Sequence, residues 1–446
     1  MLIIFLNPSS SLSKLIKIQH RSKDKKTKIF SIKPNFGLKE IINLPLINNQ
    51  AQEKRGENGG KIAYEPGNDR YFILKIELKD EGTKFLLLSL SLDIMAIHKN
   101  FAYVLARAEE LKLIRASGLD YSIIKQAQPR MPKKEQLSSS SANGAYHSYK
   151  EVEEGLKAIT EEFSPVAALH NLGHSLEGRN IWGIKISDNA ELEEDEAKIL
   201  FVGCHHAREW ISVEVPYMLA EHLVSNYRGD PRIRRLVDQS EIWIVPLLNP
   251  DGLEYSIQQF RWWRKNRRNN GDGTFGVDPN RNYGYMWGID DIGSSPITYS
   301  QVFRGPYAFS EPETEAMMRL FQQREFLAAI SYHNYSQLIL YPWSYTWEKA
   351  PDFSLFRYLS DWMAQLIKTS RGKYYAPGHV EQLYLCNGEF TDWAYGEYGT
   401  IAFTVELPPD ELLLGGFVNS EQEIIPIFQE NLPAALFLIQ WSIDNF

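Results

Sequence analysis

His206, Glu209, His333 and Glu406 are the residues whose types could do chemistry together. His206 closes the apolar run KILFVGCHH (198–206), and Glu209 follows three residues later. His333 closes AAISYH (328–333), and Glu406 lies near the polar end of TIAFTVEL (400–407). All four fall at strand ends, and open α/β sheets bind ligands at the carboxyl ends of their strands. Two histidines and one carboxylate, with a water in the fourth position, form a catalytic zinc arrangement. Where a strand turns into a helix, a three-residue spacing can aim His206 and Glu209 at one ion. Cys204 and His205 stand beside them as further zinc-ligand types. The bland alternatives stay open: a lone strand-end histidine is usually hydrogen-bonded structure, and Cys204 reads best as a small buried apolar side chain.

Other cues carry less. GHSLEG (173–178) is no nucleophile elbow, because its second glycine comes one residue late, and no H-E-x-x-H occurs. RWWRKNRR (261–268) mixes arginine with tryptophan and could stack on nucleic acid. The charge balance favours an anion-binding role instead. Residues 1–60 carry 11 Lys+Arg against 4 Asp+Glu, which leaves 37 basic against 52 acidic residues in the rest. An acidic body argues against nucleic acid as a partner.

From residue 146 onward, strand-like and helix-like stretches alternate, which signals an α/β domain. KILFVGCHH and EIWIVPLLN (241–249) are continuous apolar strands of the kind buried on both faces, with the helix WISVEVPYMLAEHLVSNY (210–227) between them. YKEVEEGLKAITEEF (149–163) reads as an amphipathic helix, and FSEPETEAMMRLF (309–321) as a helix with a capping box at Ser310 and Glu313. Residues 61–128 read as a small α+β unit: YFILKIEL (71–78) and KFLLLSLSLDI (84–94) as strands, FAYVLARAEELKLI (101–114) as a helix, LDYSIIKQ (119–126) as a last strand. Residues 129–145, rich in Pro, Ser and Lys, form an exposed linker open to proteolysis. Residues 1–60 read as a basic, disordered leader. No apolar run approaches the roughly 18 residues of a membrane span. The start, MLIIFLNPSSS, is a poor signal peptide, because no positive charge precedes a short apolar stretch. Two cysteines, Cys204 and Cys386, allow at most one disulfide.

Residues 146–446 resemble the zinc carboxypeptidases of the pancreatic A/B type and their bacterial relatives. The resemblance rests on eight motifs in family order: GCHHAREW, NPDG (249–252), RWWRK (261–265), GVDPNRNY (276–283), FSEPET (309–314), SYHNYSQLILYPW (331–343), LYLCNGEFTDWAY (383–395) and FTVEL (403–407). It implies a mixed, mainly parallel central sheet flanked by helices, with one Zn²⁺ held by His206, Glu209 and His333. It implies that Glu406 is the general base, that Arg264 polarises the scissile carbonyl, and that Asp278 orients the first zinc histidine. By the same resemblance, Asn280 and Arg281 grip the substrate's C-terminal carboxylate, Arg261 lines the approach, and Tyr384 closes over the bound residue. The substrates are then peptide or protein C-termini, and the compartment periplasmic or extracellular.

Two features depart from the family pattern. Thr391 stands where basic-specific relatives carry Asp and apolar-specific ones an aliphatic residue, and Glu389 stands where glycine is usual. They predict a broad pocket for apolar residues and, through Glu389, for Lys or Arg. Residues 61–128 resemble the inhibitory prosegment of digestive relatives, which predicts a zymogen and an activating protease. Two other functions compete: a zinc amidohydrolase acting on cell-wall peptides or N-acyl amino acids, and a non-catalytic binding module. Asn280, Arg281 and Tyr384 favour a free α-carboxylate over the first, and four filled metal and base positions speak against the second.

Overall fold

The computed structural model describes residues 71–90, 92–108, 110–127, 143–379, 384–410 and 416–446. The basic leader (1–60) and most of the linker lie outside the described residues. The first described part is a four-stranded antiparallel sheet of β1 (Tyr71–Glu77), β2 (Asp93–Ile97), β3 (Phe101–Arg107) and β4 (Tyr121–Ala127), in the order β2-β3-β1-β4. Helices α1 (Glu81–Ser89) and α2 (Glu110–Ala116) are threaded between its strands.

Two expectations fail here. KFLLLSLSLDI is not one strand: α1 takes its first part, N-capped by the Asp80 carboxylate, which accepts from Thr83 N at 2.7 Å. FAYVLARAEELKLI is not one helix: Phe101–Arg107 pairs with β1 on one side and β2 on the other. Two ladders of backbone hydrogen bonds override the helix propensity of Ala and Leu.

The inner strands β1 and β3 of the small sheet are apolar on both faces. Leu74, Ile76, Ala102 and Val104 pack under its own helices with Leu87 and Ile114. Tyr71, Ile73, Tyr103 and Leu105 turn the other way, onto Phe260, Trp262, Trp263, Tyr335 and Phe417 of the body. Strands apolar on both faces need the body as their second cover. Ala63–Phe446 is one compact unit.

The body is built on an eight-stranded sheet: β5 (Ala167–His174), β6 (Asn180–Ile186), β7 (Ala197–Gly203), β8 (Ser240–Val245), β9 (Ala328–Asn334), β10 (Leu338–Leu340), β11 (Ala376–Gly378) and β12 (Ile401–Leu407). Its order is β11-β10-β12-β9-β7-β8-β6-β5. The central pairs β12–β9, β9–β7 and β7–β8 are parallel, while β10–β12, β6–β8 and β5–β6 are antiparallel. The expected mixed sheet is present. The helices are α3 (Tyr149–Glu162), α4 (Ile211–Asn226), α5 (Pro231–Val237), α6 (Pro250–Gln258), α7 (Pro312–Gln323), α8 (Phe353–Arg371), α9 (Phe390–Tyr398) and α10 (Ile424–Asp444). Separate apolar clusters cover the two faces, so every central strand is buried on both.

Helix ends also differ from expectation. The capping box forms on α3, between Ser148 and Glu151. It does not form at Ser310 and Glu313: the N-cap of α7 is Glu311, Ser310 Oγ donates to that carboxylate at 2.6 Å, and buried Glu313 receives Asn266 Nδ2.

Candidate active site

The parallel strands β7, β9 and β12 deliver the chemistry to one rim. At the end of β7 the chain turns at Gly203, where a Cβ would sit 2.0 Å from Ser212 O. Cys204 follows with φ 57°. Ser212 locks the turn, its Oγ accepting from Cys204 N at 3.1 Å and donating to Glu209 O at 2.5 Å. His206 and Glu209 thereby face one point, and His333 reaches it from β9.

The contacts fix the ring orientations. His206 Nδ1 lies 2.9 Å from Glu209 Oε1, His333 Nδ1 lies 3.0 Å from Glu209 Oε2, and the two Nδ1 atoms are 3.1 Å apart. Three donor atoms so close are what one ion with bonds of about 2.0–2.1 Å requires. Each far ring nitrogen has its own partner: His206 Nε2 meets Asp278 Oδ1 at 3.2 Å, and His333 Nε2 meets Ser331 Oγ at 2.9 Å. Such outer partners set the tautomer and aim the free lone pair at the metal. All three residues are buried. Burial works to raise the Glu209 carboxyl, but the two imidazoles outweigh it and hold it below the ordinary range. Burial lowers His333, which favours the neutral, ligating ring. Mixed nitrogen and carboxylate donors with one open side suit zinc.

His205 is turned away. Its Nε2 meets Tyr283 Oη at 2.8 Å and its Nδ1 meets Ser331 Oγ at 3.1 Å. Cys204 is buried, its thiol pushed up by burial, and both cysteines are free.

A cavity of about 70 Å³ opens on this rim. Glu406 lines it, in register with His333 across the β12–β9 ladder. Burial, and next the charge of Glu209, hold the Glu406 carboxyl well above the usual range against the pull of Arg264. Arg264 also lines the cavity, its Nε and Nη2 both on Asp278 Oδ2 at 3.0 and 2.9 Å. Asp278 therefore serves His206 with one oxygen and Arg264 with the other. Asn280 and Arg281 face the same space from the turn after Asp278. Arg281 is steadied by Gly293 O at 3.0 Å and Asn280 O at 2.6 Å. Tyr384 completes the wall and also packs on the small sheet's core.

Two expected substrate contacts are not brought to the cavity. Arg261 is absent from its wall. Its guanidinium lies 3.9 Å from the Trp210 ring and donates to Arg208 O and Phe417 O at 2.6 Å each. Burial without a carboxylate partner pushes Arg261 down to about 9. Thr391 stands behind Glu389, to which its hydroxyl donates at 2.5 Å. Glu389 does line the cavity, but as the N-cap of α9 its carboxylate also receives Thr391 N, Asp392 N and Ser344 Oγ. Cys386 is a wall residue, its thiol pushed up to about 12 by burial.

Sequence reasoning missed Arg208. It is buried on the cavity wall, and its Nη1 and Nη2 clasp Asp93 of β2 at 2.6 and 2.9 Å. Ile94 and Met95, next along β2, form part of the same wall. Arg208 sits inside the very stretch that carries His206 and Glu209, and an arginine between two ligands was the available signal.

The zinc carboxypeptidase family model matches residues 152–434. The chain belongs to the zinc carboxypeptidase family. Zinc carboxypeptidase A 1 of Anopheles gambiae is 33% identical over 302 residues, 67% of this chain and 68% of that protein. Carboxypeptidase A4 of Mus musculus is 31% identical over 330 residues, 71% of this chain and 77% of that protein. The solved carboxypeptidase A from Helicoverpa armigera shares the fold with a TM-score of 0.75 at 23% identity, over 86% of this chain and 99% of that one. That span extends beyond the body into the small sheet. This metallocarboxypeptidase is thus a hydrolase of the exopeptidase type, and the family's zinc has a matching donor set in His206, Glu209 and His333. Among the described residues, no helix is long and apolar enough to cross a membrane.

Proposed function

We infer that the enzyme removes single residues from peptide C-termini, with Glu406 as base and Arg281 and Asn280 as the carboxylate clamp. The observation that carries this reading is the register pairing of Glu406 with His333 in a cavity that Arg281 also lines. Zinc, when bound, makes water a nucleophile near neutral pH and polarises the scissile carbonyl. Glu406 takes the proton of the attacking water and returns it to the leaving amine. A carboxylate on the wall beside the metal donors is placed for both transfers. Arg264, kept in place by Asp278, offers Nη1 to the developing oxyanion, an interaction typically worth about 3 kcal/mol per donor. Arg281 restricts cleavage to the terminus, because an internal peptide bond has no carboxylate to fill its planar fork.

Glu389 extends the pocket to Lys and Arg side chains beside apolar ones. Its position on the wall supports this; its four internal donors make it a weaker counter-ion than a free carboxylate. The small sheet acts as an inhibitory segment. Ile94 and Met95 wall the cavity, and Asp93 occupies Arg208, so upstream residues of a peptide meet β2.

The deciding experiment measures bound zinc and C-terminal residue release for the protein and for Glu406→Gln. Retained zinc with lost release supports the reading. Unchanged release overturns it. Limited trypsin digestion within 129–145 is expected to raise activity, and a flat response counts against inhibition.

A further inference from the structure

A second group of carboxylates lies away from the cavity, on the loop joining β6 to β7. Asp188, Glu194 and Glu196 each bring one oxygen within 4.8 Å of the others, and all three are half-buried. Below them on β8 is Glu241, 0% exposed. Its Oε1 accepts from Glu194 N at 2.9 Å and faces the ammonium groups of Lys185 and Lys198 at 3.0 and 3.4 Å. Its Oε2 has no donor. Glu194 Oε2 and Glu196 Oε2 have none either, although all three atoms are buried. A buried carboxylate oxygen with no partner carries the full cost of lost solvation. Two of these oxygens belong to the triad, and Glu241 meets the same loop through Glu194 N.

We propose that Asp188, Glu194 and Glu196, backed by Glu241, bind one calcium ion. The donor set is all oxygen, which suits a hard cation and not zinc. A half-exposed loop meeting a rigid strand fits the flexible six to eight oxygens of calcium better than the strict octahedron of magnesium, with water filling the remainder. The lysines do not already fill this role. Both ammoniums lie on Oε1 of Glu241, and each spends a further bond on a loop carbonyl, Leu192 O for Lys185 and Glu194 O for Lys198. Four carboxylates against two ammoniums leave a charge of about −2, which a divalent ion cancels.

The electrostatics agree. Burial, then Glu194, Asp188 and Glu241, push the Glu196 carboxyl up to about 7, with Lys198 opposing. Lys185 faces the group from β6 and Glu241 from β8.

The test uses the full chain loaded with zinc, titrated calorimetrically with CaCl₂, and its thermal midpoint with and without about 5 mM CaCl₂. Expected are one calcium per chain, a midpoint raised by roughly 2 to 4 °C, and affinity at least about tenfold weaker in Glu196→Gln and in Asp188→Asn. The two variants cover each other should one fail to fold. No heat and no midpoint shift in the parent chain overturns the proposal. So does a shift that survives in the folded variant, or an equal shift with MgCl₂.

Discussion

Two of the three arginines that line the cavity are compensated from different places. Arg264 finds its carboxylate, Asp278, within the body, 14 residues along the chain. Arg208 finds its carboxylate, Asp93, on the small sheet, 115 residues away. The Arg264 wall is complete without the sheet: His206, Glu209, His333, Asp278 and Ser331 satisfy one another. The Arg208 wall is complete only while β2 is seated. On the proposed function, the contrast separates machinery from control. Groups that must keep one charge and one orientation draw partners from rigid neighbours, whereas the group facing upstream substrate is held by the element proposed to leave.

The largest effect that sharpens this contrast is at Glu406. Glu406→Gln should cut turnover about 10²- to 10⁴-fold while zinc content holds, both before and after cleavage of the linker. Next is the Arg208 side. Asp93→Ala leaves a buried arginine unpaired, at a cost of about 3–5 kcal/mol. A lowered thermal midpoint with raised activity of the uncut chain is expected. A drop in activity after cleavage as well would break the contrast, because Asp93 would then serve the machinery. Asp278→Asn should weaken zinc about 10- to 100-fold, read by competition with a chelator. If zinc affinity is unmoved, the body wall does not depend on its outer partners. The smallest effect is at Glu389: replacing it by Gln should lower the preference for C-terminal Lys and Arg over Phe by about tenfold, with Phe cleavage unchanged. A preference that stays put would assign Glu389 to capping α9 alone.

Legibility followed the range of the interactions. His206 and Glu209 share one turn, so their spacing carried them. His333 and Glu406 were joined to them by strand-end position and by family likeness, since nothing local in AAISYH or TIAFTVEL says that those strands are neighbours. The helix α1 was hidden in a leucine-rich run that alternates like a strand, although Asp80 and Thr83 marked its start. The strand β3 was hidden because Ala, Leu and Arg favour helix and its two partners lie elsewhere in the sequence. Arg261 was misplaced by its motif: the guanidinium goes to Trp210 and two carbonyls, a destination no spacing encodes. Arg208 was overlooked because its partner belongs to a different sheet.

The pairing of Glu406 with His333 has a bearing on how this enzyme could fail. Slippage of a strand is ordinarily punished because it drags apolar side chains into water. β9 and β12 are buried on both faces, so a one-residue slip would exchange one buried face for the other without exposing either to water. It would also carry the base to the far side of the sheet. Policing falls to the strand starts, where Ile401 N meets Leu327 O at 2.9 Å and Thr400 Oγ1 holds Phe326 O at 2.8 Å. An insertion or deletion near Thr400 is therefore expected to give a well-folded, zinc-loaded and inert protein, a lesion that stability screens would pass.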